Sequence, residues 1–368
     1  MRALFTGDMK EQGRKLMAML ATVVNGLTRL EQIVPAAQAL AKRHVGYGAK
    51  VEHYPVVGAA LLVMLLAISG AVLSINPALE RLNNSVPVAG QLSIAELAGR
   101  IAQFYPHAEQ IQRTPSGSVI VYYSQDGDTG IDRIDPASGK RMGAYAPSEF
   151  AGWVKDLHRS LLLDTTGRAI AGIGALAMLL LSLSGAAMLA KRLGGWRQLL
   201  RPLRGGFNQR WHAEAGRFAL LGLLLSSLTA MYLSAATFGL VSDGTQNEPD
   251  FPTVVATGPA APVSSLKALQ AVDLNDLREL VYPNPQDPND VFTLSTAQGD
   301  GFVDQASGAL LSYQAHDSLR RTYEFIYQLH TGEGLWWLGL ILGASALCAG
   351  AIPNASATTC DVAAVPRN

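Results

Sequence analysis

The sequence predicts a membrane α-helical protein carrying small α+β units, a four-helix transmembrane bundle with two compact external domains. Three observations carry that prediction. Only 16% of the 368 residues are charged and 49% are apolar, against about 25% charged in ordinary soluble domains. The missing charge is concentrated in four uncharged runs of 18 to 24 residues: Val56–Ile75, Ala169–Ala190, Phe218–Val241 and Leu335–Ile352. At ~1.5 Å per residue each approaches the ~30 Å of a bilayer core. Finally, the polar stretches after the first and third runs resemble each other, so the chain reads as one unit written twice.

In order, residues 1–52 hold eight basic and four acidic residues and read as an amphipathic leader on the cytoplasmic membrane surface. The leader lacks a short apolar core with a cleavage site, so it is not a signal peptide. The first span follows at 53–75, with Pro55 suited to a first helical turn and Ser69-Gly70 permitting close helix approach. Residues 76–155 form the first external domain. Ser93–Tyr105 reads as a helix capped by Ser93 with Glu96 three residues on. Ser118–Ser124 and Ile131–Ile134 read as strands, and Asp135-Pro-Ala-Ser-Gly139 as a tight turn into a third. The second span lies within 156–190. Between Lys191 and Arg217 come seven basic residues and one acid, a cytoplasmic marker; the loop proper is 191–211. The third span occupies 212–241.

The second external domain, 242–329, repeats the first. From Ser242 to Glu333 there are thirteen acids and four bases. Leu266–Leu280 reads as a helix, Val291–Ser295 as a strand, and Asp304-Gln-Ala-Ser-Gly308 echoes the earlier turn. The fourth span is 330–352, and 353–368 is a short tail. Lysine and arginine placement puts both termini in the cytoplasm and both domains outside.

Four of the seven histidines stand at the mouths of the four spans. With this topology His53 and His212 fall near the inner face, and His158 and His330 near the outer face. Lys155-Asp-Leu-His158 and Tyr327-Gln-Leu-His330 are the repeated motif. Imidazoles from facing helices are suitable axial ligands of b-type haem. The residues therefore predict two haems, one held by His53 and His212 and one by His158 and His330. Arg159 and Arg168 are candidate partners of the outer haem's propionates, Arg210 and Arg217 of the inner; each serves equally as an interface anchor. His44, His107 and His316 do not fit the pattern. Eleven residues separate His158 from Ala169 but five separate His330 from Leu335, so Leu161–Thr166 must extend or turn back.

Other chemistries are excluded by pattern. There is no Cys-x-x-Cys-His haem attachment site, no His-Glu-x-x-His zinc motif, and no Asp, Glu or Lys inside a span for ion coupling. Gly194-Gly195 and Gly205-Gly206 lack the strand–turn–helix setting of a dinucleotide site, so no flavin or NAD(P) site is expected. A formal net charge of zero gives no reason to expect nucleic acid.

His53 with Ser69-Gly70, Leu157-His158-Arg159-Ser160-Leu161, Arg210-Trp211-His212 and Leu329-His330-Thr331-Gly332, with the two Asp-x-Ala-Ser-Gly turns, resemble the PepSY-associated transmembrane family over about residues 50 to 350. The resemblance implies PepSY-like external domains on a di-haem ferric-siderophore-reductase module of the bacterial inner membrane. Electrons would come from a cytoplasmic flavin- or NAD(P)H-linked reductase, or from quinol. They would pass across the bilayer to a periplasmic ferric chelate, serving iron uptake. The alternatives are a non-enzymatic PepSY-type binding or regulatory protein and the membrane half of a longer flavoprotein reductase, whether the C-terminus is natural or truncated.

Overall fold

A computed structural model describes residues 53–357, apart from 85–86, 126–127, 199–206, 245–248 and 257, together with positions 14, 18, 35 and 38. The leader beyond those positions and the tail beyond 357 lie outside the described residues. The helices are α1 His53–Leu73, α2 Ile75–Leu82, α3 Ile94–Ala102, α4 Glu149–Ser160, α5 Asp164–Leu193, α6 Phe207–Thr237, α7 Lys267–Gln270, α8 Ser318–Thr331 and α9 Trp336–Ala357. Among the described residues three stretches are long and apolar enough to cross a membrane: Val57–Leu82, Asp164–Leu193 and Glu214–Thr237. Among the described residues the apolar part of α9 is shorter, Trp336–Cys348.

The long helices pack in a ring. α1 contacts α5 and α9, and α6 contacts the same two, which puts α1 and α6 at opposite corners. Small residues allow the approach. A methyl at Gly174 would meet Leu66 of α1 at 2.7 Å, and one at Gly222 would collide with Ser345 of α9.

The polar stretches build one sheet rather than two. Its eight antiparallel strands run in the order β4-β3-β2-β1-β5-β6-β7-β8. The first repeat supplies β1 Ala108–Arg113, β2 Val119–Gln125, β3 Asp128–Ile134 and β4 Arg141–Ala144; the second supplies β5 Leu277–Val281, β6 Val291–Thr296, β7 Gly299–Asp304 and β8 Leu310–Ala315. Each repeat is a four-strand meander, and the two join where Gln110, Ile111 and Gln112 of β1 face Val281, Leu280 and Glu279 of β5. One apolar core serves both: Ile94, Leu97 and Ile101 of α3 pack with Ile111, Val121, Leu269, Leu280 and Val303. Each fully buried aliphatic side chain contributes ~1.5–3 kcal/mol relative to exposure, so the shared core binds the repeats together.

The Ser93 cap is present, its hydroxyl accepting from the Glu96 backbone N–H at 3.2 Å. Both Asp-x-Ala-Ser-Gly segments are tight turns. The Asp135 carboxylate accepts from Ala137 N–H and the Ser138 hydroxyl; that of Asp304 accepts from Ala306 N–H, Ser307 N–H and Ala256 N–H. Each turn ends on a left-handed glycine, Gly139 at φ +73° and Gly308 at φ +68°, set against the helical layer at Arg100 and Leu266.

The helix expected over Leu266–Leu280 is corrected. Only the single turn α7 is α-helical; Asp273 then caps a 3-10 turn, Leu274–Asp276, and the chain enters β5. The leucines at 274, 277 and 280 suit a helical face, but pairing on both edges, with β1 and β6, overrides local preference.

Candidate functional site

The site lies where two shorter helices meet the long ones. α4 and α8 each end on the repeated histidine motif, and each packs on a long helix: α4 on α1, α8 on α6. His158 and His330 thereby meet between opposite corners of the ring. Their ring centroids are 6.2 Å apart, with planes inclined by 35°.

Each imidazole is held by a hydroxyl from the neighbouring long helix. His158 Nδ1 lies 2.9 Å from Ser69 Oγ, and His330 Nδ1 lies 3.0 Å from Thr229 Oγ1. The hydroxyl protons are already committed. Ser69 Oγ donates to Leu65 O at 2.7 Å and Thr229 Oγ1 to Leu225 O at 2.7 Å. Each hydroxyl therefore offers its ring only a lone pair, which requires Nδ1–H as the donor. In a neutral ring that leaves the lone pair on Nε2, the form in which histidine ligates a metal. Gly70 makes room for the first ring: a methyl there would lie 3.0 Å from His158 Cε1.

This geometry fits a bis-imidazole haem. Two imidazoles bound through Nε2 to one iron, at ~2.0–2.1 Å each, would set their ring centroids roughly 6.3 Å apart. Among the described residues no group of three or more His, Cys, Asp or Glu is arranged to hold a metal ion, but an axially ligated porphyrin iron needs only two protein ligands.

The other candidates divide. His53 begins α1 and His212 lies in the second turn of α6; their side chains are outside the described set. Sixteen and seventeen residues separate them from Ser69 and Thr229. At ~1.5 Å per residue both backbones lie roughly 25 Å along their helices from the His158–His330 level. Arg168 reaches the Asp164 carboxylate at 3.7 Å, while its buried Nε has no hydrogen-bond partner. Arg217 pairs with Glu214 at 3.1 Å. Arg159 and Arg210 are exposed.

The sequence marks Ser69 only as a small helix-packing residue, and Thr229 carries no signal of its own within its apolar run. The available signal is their nearly equal distance from His53 and His212 on the same helices, sixteen and seventeen residues. Also unforeseen was Glu324, which ties α8 to the sheet. Its carboxylate takes both terminal nitrogens of Arg278 on β5, Nη1 at 2.8 Å, and Nε of Arg320 at 2.8 Å. The helix bearing His330 is thus fixed six residues before that histidine.

The segment from His158 to α5 turns back sharply. Leu161 and Leu162 adopt left-handed φ of 50° and 59°, and Asp164 one of 48°. Gly167 then packs so closely on the Ser160 carbonyl that a methyl would collide with it. The second repeat makes the same turn with Gly332 (φ +77°) and Gly334 (φ +75°), and Gly339 packs on Gly332.

No curated protein matches the chain. A globin family profile matches residues 5–80, a segment holding His44 and His53, and this points to haem binding. The profile described as the PepSY-associated TM region matches residues 56–353, a range that includes both histidine motifs, the whole sheet and the three apolar spans. These findings together mark a multi-pass membrane protein, and the chain belongs to the PepSY-associated transmembrane family.

Proposed function

We propose that the chain is a haem-b electron conduit of the bacterial inner membrane, carrying electrons from a cytoplasmic donor to a periplasmic acceptor, a ferric siderophore or other ferric chelate. The observation that carries this reading is the His158–His330 pair, two imidazoles held by Ser69 and Thr229 at a spacing that suits shared iron. His53 and His212, on opposite corner helices one bilayer depth away, are assigned to a second haem. Two haems divide a ~30 Å slab into shorter transfers.

A bound haem supplies a one-electron carrier without needing an open coordination position. The chain's own part is structural and electrostatic. Ser69 and Thr229 hold the ring planes and keep Nε2 unprotonated. Glu324 and the αL turns hold α8 and α4 in place, and the apolar helices exclude water. Cytoplasmic termini and a periplasmic sheet follow from the basic segment at 191–217 and the acidic one at 242–333. The donor is a flavin- or NAD(P)H-linked reductase or quinol.

The test is a reduced-minus-oxidised spectrum of the detergent-solubilised chain after expression with ample haem. Paired b-type bands at two haems per chain are expected. A colourless protein would overturn the proposal and leave a PepSY-type binding or regulatory role.

A further inference from the structure

A cavity opens where α2, the end of β1 and the start of α9 meet. It measures about 290 Å³ and is walled by Pro77 and Arg81 of α2, Arg113 at the end of β1, Gly334, and Trp336 and Trp337 at the start of α9. Gly334 follows His330 by four residues, so the cavity adjoins the turn that carries the ligand helix into α9.

Its chemistry is that of an anion site. Two guanidiniums share one small space, and neither forms an ion pair among the described residues. Arg113 is half-buried, and its two terminal nitrogens donate to the Asn275 carbonyl and amide oxygens at 3.1 and 3.0 Å, which fixes the fork in place. Burial and the neighbouring Arg81 both disfavour its charge, partly offset by Asp273 and Asp276. Asp273 is itself engaged with the Gly90 and Asn275 backbone N–H groups. A preset, half-buried guanidinium beside an exposed one is suited to carboxylate recognition. The indoles of Trp336 and Trp337, 41% and 51% exposed, supply apolar walls of the kind that line small-ligand sites.

We propose that this cavity binds a small polycarboxylate, free or as its ferric chelate. Its assignment to the electron acceptor, rather than to an anion alone, rests on the conduit reading above. In that role chelated Fe(III) takes one electron and becomes Fe(II). The cytoplasmic reductant loses that electron, and no bond to the protein forms. The volume admits one small polyanion.

Indole fluorescence of the full chain in nanodiscs tests the site, with citrate and ferric citrate as probes and lipid either purely phosphatidylcholine or mixed with phosphatidylglycerol. A saturable change in phosphatidylcholine discs is expected for both probes, weakened at least tenfold in Arg81→Gln and retained in Arg81→Lys. Absence of saturation, or equal affinity in Arg81→Gln, would overturn the proposal. So would a signal that appears only with phosphatidylglycerol and does not respond to citrate, since that assigns the cavity to a lipid phosphate. The haem spectrum of the same samples separates the two readings: citrate binding by a haem-free chain keeps the site and removes the conduit.

Discussion

The two halves of the chain build the same turn from different residues. After His330 the chain reverses through Gly332 and Gly334, which accept positive φ without a Cβ penalty. After His158 it reverses through Leu161, Leu162 and Asp164, each in the left-handed region. That conformation costs roughly 1–2 kcal/mol for each such residue. The close contact behind the turn is nevertheless kept in both halves, by Gly167 on Ser160 and by Gly339 on Gly332. What the repeats share is a geometry that brings an imidazole to a fixed level, and the first repeat tolerates strain to reach it. Such strain persists where surrounding structure over-determines it, and it clusters at functional sites.

If the halves are equivalent partners in one centre, breaking either must give the same large loss. His158→Ala and His330→Ala should each remove one haem and leave the other, measured as haem per chain by pyridine haemochrome. Unequal loss would show that the pair is not shared. The hydroxyls sharpen the comparison. Ser69→Ala and Thr229→Val should each weaken outer-haem retention by ~10–100-fold, the usual cost of losing a ligand's hydrogen-bond partner, with the helix content in circular dichroism unchanged. The turns should respond in opposite ways. Gly332→Leu gives the second half the first half's residue, but its Cβ would lie 2.6 Å from the Gly339 Cα, and a loss of roughly 2–3 kcal/mol in thermal or denaturant unfolding is expected. Leu161→Gly, the reverse exchange, should stay within about 1 kcal/mol of the parent, because relieved strain offsets added chain entropy.

The smallest effect concerns the paired Asp-x-Ala-Ser-Gly turns. Burial alone would raise the carboxyl pKa of Asp304, but hydrogen bonds from Ser307, Ala256 and Ala306 outweigh it and hold the value below the ordinary 3.8. A depressed carboxyl stabilises the fold above its unfolded pKa and loses that contribution as pH falls through the folded one. Asp304→Asn should therefore lower the melting temperature at neutral pH and flatten its decline below pH 3.8. An unchanged acid limb would assign that decline to other groups.

Much of this was legible from residue order. The apolar runs, the Ser93–Glu96 cap and the duplicated Asp-x-Ala-Ser-Gly turns each rest on local chemistry that a short window contains. The approach of His158 to His330 was legible because the Leu-His motif recurs at the same point of both repeats. What stayed hidden depends on distant partners. β1, Ala108–Arg113, is mostly polar, and within it only Ile111 is fully buried, so no alternation announces a central strand. β5 reads as helix in the sequence because its leucines fit either period. Ser69 and Thr229 resembled routine helix-packing residues, and only their opposite numbers across space reveal that they orient rings. Arg81, Arg113, Trp336 and Trp337 come from three separated stretches, so their cavity had no linear signature.

The β1–β5 seam has a consequence for biosynthesis. Its partners, at 110–112 and 279–281, stand well over a hundred residues apart, with two apolar spans between them. During translation the first meander emerges with β1 as a bare edge, a template for unwanted pairing. That edge stays open until both spans are inserted and β5 follows. Long-range pairing of this kind is slow to form, so β1 stays an open edge longer than strands that pair within their own repeat, and that interval favours aggregation.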